Sequence, residues 1–226
     1  MTCFDIECKD IEKINTEEYF YNQQVEETLS KKIEKPFGIV RKKIADEPAI
    51  KHLSFKEVND INRFVEYCYL RSKEKLENNL SKLKNLFPNQ VITVSTLINE
   101  YEFRGIFSYK DLYIFNNKTE KDFILSSSCV NEIMIGNKKI FFLSISPKVA
   151  LGMIKPANHT KKISQSATTN IFNITFSYNK DIDNLNQAIF KSEYKKSGFI
   201  IAHLESTLTF ICENNKLLIK KAKGEA

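Results

Sequence analysis

Apolar residues recur at helical spacing through the first half of this chain and fall into short unbroken runs through the second. Val25, Leu29 and Ile33 repeat every four positions, which lines them along one helix face. Asn15 followed by Glu18 resembles a capping box ahead of them. Pro36 either kinks that helix or starts a second one through Phe37, Val40 and Ile44. The strongest start signal is Ser54 with Glu57, an S-x-x-E box flanked by Leu53 and Val58 at the positions of a hydrophobic staple. The series Phe55, Val58, Ile61, Val65, Cys68, Leu76, Leu80, Leu83 and Phe87 then predicts one long helix over about residues 55–86, about 48 Å in length, ended by Pro88. Residues 91–101 fit a strand by β-branching and a helix by the spacing of Val91, Val94, Ile98 and Tyr101; we read them as helix.

From Ile106 the period shortens. Residues 112–115, 123–126, 130–135, 140–145 and 149–154 are strand-sized apolar runs, and Gly136-Asn137 suits a hairpin turn. Residues 155–170 are polar and read as a surface loop. Residues 181–196 form an amphipathic pattern closed by Gly198. Residues 199–203 read as a strand, and 208–212 with 217–219 as a terminal hairpin. The expected fold is α+β: a helical lobe over 1–104 and a β-rich lobe with one inserted helix (about 181–197) over 105–226, joined in one compact unit.

Composition narrows the class without naming a reaction. The 226 residues are 42% apolar and 27% charged, as expected of a globular protein. No apolar run reaches the roughly 18 residues of a membrane span, and no secretory leader pattern opens the chain. Five scattered cysteines read as reduced thiols, so the expected location is the cytoplasm and the expected partner is not a membrane. Cys3 and Cys8 find no second Cys or His pair at ligand spacing, and His52, His159 and His203 are isolated in sequence; no metal site and no cofactor are implied. The formal charge of +6 suits a lysine-rich solvated surface, and also a nucleic-acid binder.

Glycine-rich phosphate loops, metalloprotease boxes and nucleophile elbows are absent from the sequence. A metal-dependent nuclease site would need two acids and a lysine on neighbouring strands; Asp122, Glu132, Lys138 and Lys139 supply the residue types but not the spacing. Two hydroxyl-rich strand ends stand out, Ser126-Ser127-Ser128-Cys129 and Ser144-Ile145-Ser146-Pro147-Lys148. Each can cap a turn or hold a phosphate, and Cys129 could act as a nucleophile beside a base. Glu27 and Lys31 form an i,i+4 pair. Arg71, in the middle of the long helix, would need a carboxylate if buried, and Glu34 is a candidate.

Taken in order, Tyr19 to Tyr21, Val25 to Glu34, Leu53-Ser54, Phe64, Arg71, Asp122 to Ser126, Phe142 to Lys148 and Asn184 to Asn186 resemble a bacterial family, domain of unknown function 4238, over about residues 5–205. Its members usually open on a segment like H-Y-V-P-Q-x-Y-L and carry S-D-N-P where this chain has Ser126-Ser127-Ser128-Cys129. The resemblance therefore implies a relative lacking the family's His and Asp. It also implies a setting among mobile elements and phage defence. The candidate pocket is Glu34, Arg71, Ser126, Ser127, Cys129, Ser144, Ser146, Lys148 and Asn186. The expected function is a binding or regulatory protein without an intact catalytic motif, acting on a protein or nucleic-acid partner. The alternatives are a nuclease-type effector enzyme and a non-enzymatic nucleic-acid-binding protein.

Overall fold

The computed structural model describes residues 3–6, 29–47, 49–71, 111–154, 171–194, 200–215 and 218–221, together with Glu27 and Ser81. In chain order the elements are β1 (Cys3–Ile6), a π turn (Ser30–Glu34) leading into α1 (Lys35–Asp46), α2 (Phe55–Arg71), β2 (Asp111–Asn117), β3 (Leu125–Ser126), β4 (Val130–Ile135), β5 (Lys138–Ser144), β6 (Val149–Ile154), β7 (Ile171–Phe176), α3 (Asn179–Tyr194), β8 (Ile200–Ile201), α4 (Glu205–Asn214) and β9 (Leu218–Lys221). The fold is α+β. Its principal sheet has the order β4-β5-β6-β2-β7, antiparallel throughout except for the parallel pair β2–β7.

Alternation along the strands gives the sheet two apolar faces, and helices cover both. Leu112, Ile114, Leu143, Val149, Leu151 and Met153 point to one side and join Ile33, Phe37, Val40, Ile44, Ile61 and Val65 of the first two helices in a single core. Phe115, Ile133, Ile140, Phe142 and Ala150 point to the other and pack with Ile182, Leu185, Ile189 and Phe190 of α3 and Ile211 of α4. The first helices thus share their core with the sheet.

Pro36 does not break its helix. The Lys35 N–H bonds to the Ser30 carbonyl, five residues back. This widened turn accommodates a proline that has no N–H to donate and whose ring crowds the carbonyl four residues earlier. Leu29 and Ile33 stay buried on the same side as Phe37, and Phe37 stacks on Phe64 of α2 at 3.8 Å between ring centroids.

The start of α2 follows the sequence. The Glu57 N–H donates to Ser54 Oγ at 3.2 Å, and the Ser54 N–H donates to Glu57 Oε2 at 2.6 Å, a reciprocal capping box. Lys43 Nζ from α1 adds an ion pair to Glu57 Oε1 at 2.6 Å. The Lys43 bond, then the Ser54 backbone bond, lower the Glu57 pKa to about 2. The helix is described as far as Arg71; the remainder of the 55–86 expectation lies outside the described residues except Ser81, which is helical. Residues 91–101, the polar stretch 155–170, the Asn15/Glu18 box and Gly198 also lie outside them.

In the second half, β2, β4, β5 and β6 stand where the apolar runs place them, and Gly136 turns the β4–β5 hairpin with φ 58°. Residues 123–126 yield only the two-residue β3, paired antiparallel with β8. The inserted helix is α3, beginning two residues earlier than expected. Two strands went unassigned in the periodicity: β7, and β1, which pairs in parallel with β9. The expected terminal hairpin is a correction: residues 208–212 lie in a helix, α4. The β-branched Thr207, Thr209 and Ile211 suggest a strand, but Thr207 and Ile211 are four apart and both buried, which is a helix face packed on α3; tertiary packing overrides the local preference.

Two glycines give opposite expectations. A Cβ at Gly152 would lie 2.3 Å from the Phe115 ring, so Gly152→Ala should lower stability by about 1–3 kcal/mol. A Cβ at Gly38, inside α1, meets nothing within 4 Å, so Gly38→Ala should raise it by about 0.5–1 kcal/mol; urea unfolding midpoints check both. Glu57→Gln should cost about 1 kcal/mol at neutral pH. A depressed carboxylate contributes stability that is complete above its unfolded pKa, near 4.5, and is lost as pH falls through about 2. The gap between mutant and wild type, read by thermal unfolding, should therefore close over that window.

Candidate functional site

Where β2 ends, the chain has to cross the end of the sheet before reaching β3. Asn117 organises the exit: its Oδ1 accepts from the Thr119 N–H (2.9 Å) and hydroxyl (2.7 Å), and its Nδ2 donates to the Lys121 carbonyl at 2.7 Å. Residues Asp122, Phe123 and Ile124 then run buried, at 6%, 3% and 1% exposure, without a strand partner alongside them. Buried backbone groups need partners, and here side chains supply most of them. Asn186 on α3, fully buried, donates from Nδ2 to the Asp122 carbonyl at 2.8 Å and accepts from the Ile124 N–H at 3.1 Å. The Ser144 hydroxyl donates to the Ile124 carbonyl at 2.8 Å. The Phe123 N–H reaches the Pro147 carbonyl at 2.9 Å.

The Asp122 side chain turns back to the sheet end. Its carboxylate lies 2.7 Å from Lys148 Nζ at one oxygen and 3.3 Å from His203 Nδ1 at the other. Lys148 also donates to the Thr119 and Lys121 carbonyls, each at 2.8 Å, so all three of its ammonium protons have acceptors. Lys121 in turn lies 3.6 Å from Asp183 Oδ1 and over the Phe210 ring. Ser146 holds the β5–β6 turn, its Oγ accepting from the Val149 and Lys148 N–H groups at 3.0 and 3.3 Å.

The serine tetrad is the turn between β3 and β4. The Ser126 hydroxyl, buried, accepts from Asn131 Nδ2 at 2.6 Å. Glu193 of α3, 1% exposed, accepts from the Ser127 hydroxyl at 2.5 Å and from the Ser128 N–H at 3.3 Å. Cys129 is exposed and takes φ 55°. Its N–H donates to the Ser126 carbonyl at 3.0 Å.

The structure therefore gathers Ser126, Ser127, Cys129, Ser144, Ser146, Lys148 and Asn186 around one feature, the 117–131 crossover. Glu34 is exposed in the π turn before α1, on the helices that cover the opposite sheet face, so it is not half of a buried pair. Arg71 is the last described residue of α2 and its side chain lies outside the described set. The nuclease residues separate too: Asp122 belongs to the crossover, whereas Glu132 accepts from the Tyr69 hydroxyl at 2.7 Å and pairs with Lys139. Among the described residues, no three His, Cys, Asp or Glu side chains come together as a metal-ligand set, and no helix is long and apolar enough to cross a membrane.

Sequence reasoning missed Glu193 and His203. Glu193 sits on a face of α3 that periodicity marks as buried, which was the available signal: a glutamate on such a face needs a donor. His203 carried no signal, since its partner is remote in sequence.

In comparisons with known proteins, no family model, no curated protein and no solved structure matches this chain.

Asn186→Ala should lower stability by about 2–6 kcal/mol, because it strands a buried N–H and a buried carbonyl at about 1–3 kcal/mol each. Ser127→Ala removes a donor from the buried Glu193 carboxylate and should cost about 1.5–3 kcal/mol. Chemical denaturation of both variants checks these costs.

Proposed function

We propose that this chain is a binding or regulatory protein that acts through a surface of its fold and not through the residues of the crossover. The observation that carries this reading is how those residues are used. Asn186, Ser144, Ser146 and Lys148 spend their polar atoms on satisfying backbone groups and closing turns. A catalytic group needs a polar atom available to a reacting one, whereas these are engaged within the fold. The resemblance to the bacterial family suggests the setting we propose for it, antiviral defence or a toxin-related system in the cytoplasm.

A second reading concerns the partner. The helical layer on one sheet face exposes Lys31, Lys32, Lys35, Arg41 and Lys42, while α3 and α4 on the other expose Lys180, Lys191 and Glu213, with Asp181 and Asp183 partly buried. Together with the overall charge of +6, the exposed basic residues of α1 and the turn before it support a polyanionic partner such as nucleic acid. The nuclease alternative is less well supported, since it needs acids in one cluster.

The test is hydrolysis and protection measured side by side. Pure protein incubated with DNA, RNA and nucleoside triphosphates, with magnesium or manganese, should leave all of them intact. Bacteria expressing the chain should plate phage at reduced efficiency, and Ser127→Ala should retain that protection. Hydrolysis abolished by Ser127→Ala or Glu34→Gln would sink the binding-protein reading.

A further inference from the structure

The α1 helix contains a glycine that its packing does not require. Gly38 has no positive φ and nothing lies within 4 Å of where its Cβ would be. A glycine inside a helix is destabilising relative to alanine, and neither conformation nor crowding accounts for this one. Its neighbours three and four positions away along the helix surface, Glu34, Lys35, Arg41 and Lys42, are all charged and exposed. Lys35 precedes it by three and Lys42 follows it by four, so the three share one row. Lys31 extends the row by a further turn through the π segment. All three lysines are exposed; Lys31 meets Glu27 only at 3.7 Å, with both side chains more than half exposed. The row faces away from the core, since Ile33, Phe37, Val40 and Ile44 occupy the opposite side.

We infer that the row Lys31, Lys35, Gly38 and Lys42 is a contact surface for the phosphate backbone of a nucleic acid. This rests on the binding-protein reading above and assigns it a face and a ligand class. From Lys31 to Lys42 the helix rises about 16 Å, a length over which one strand of a duplex presents about five phosphate charges. The lysines neutralise phosphates, and the glycine leaves a notch between them where a polyanion backbone can approach the helix closely. The row carries no aromatic side chain for base stacking, so binding is to the backbone and without strong sequence preference. Its large apolar neighbour is Ile39, 74% exposed. A single such residue is too little for the apolar face that an interfacial membrane helix buries.

The experiment uses the full chain and fluorescein-labelled duplex DNA and RNA, read by anisotropy across a salt series. Lys31→Gln/Lys35→Gln/Lys42→Gln should weaken binding at least tenfold and reduce the slope of log affinity against log salt by about three. The control Lys138→Gln/Lys180→Gln/Lys191→Gln removes the same charge from exposed positions elsewhere and should bind nearly as the wild type does. Gly38→Gln should bind several-fold more weakly while its unfolding midpoint is no lower than wild type, which separates the notch from folding. Equal losses in the two triple variants, wild-type affinity in the first, no binding by wild type at low salt, or binding only to vesicles of anionic phospholipid would each overturn the inference. Hydrolysis of the probe would instead remove the binding-protein reading and leave the contact surface to be judged by the same variants.

Discussion

The structure depends on how a buried stretch of backbone finds hydrogen bonds away from any regular ladder. Residues 122–124 cross the end of the sheet beneath α3, and water does not reach them. Asn186 presents a carbonyl and an amide to them as a neighbouring strand would, with one donor and one acceptor two residues apart. An amide side chain is the residue type with both functions in the required plane. Because Asn186 belongs to α3 and Ser144 to β5, satisfying this one segment also sets where the helix lies over the sheet and how the sheet ends.

The charges around the crossover follow from the same constraint. Asp122 is buried because its backbone is held down, and a buried carboxylate is costly unless paired. Lys148 and His203 meet it, and Lys148 in addition closes the carbonyls of the loop that precedes it. Glu193 plays the equivalent part at the far end, where it accepts from the serine turn. The cluster that looks like chemistry in the sequence is thus a set of fastenings, each tied to a different part of one crossover. The opposite layer is built differently. There the helices bind the sheet mainly through apolar faces, with polar contacts at the margins such as Tyr69 to Glu132. The outer row of α1 faces away from that core.

Much of this was legible before the structure. Hydrophobic spacing located the first two helices, the strands from 111 to 154 and the helix after 178, and the Ser54–Glu57 box located a helix start to the residue. Those signals are local: a cap, a period and a two-residue turn act on residues within four positions of one another. The serine tetrad and Ser144 to Lys148 were also visible as unusual, and both border the same crossover. Local reading failed where packing outweighed preference. The β-branched run in α4 looked like a strand, and the alternating but half-exposed β7 gave too weak a pattern.

What the sequence by itself determined, then, was the identity of most elements and the α+β class, because short-range periodicity and turn chemistry decide those. The tertiary structure alone decided that the first helices and α3 sandwich one sheet, that Asn186 serves the backbone of 122–124, and that Asp122 meets Lys148 and His203. Each of these joins residues far apart in the chain, where no spacing rule operates. Their polar atoms acquire partners only when burial removes water and leaves another side chain as the available donor or acceptor.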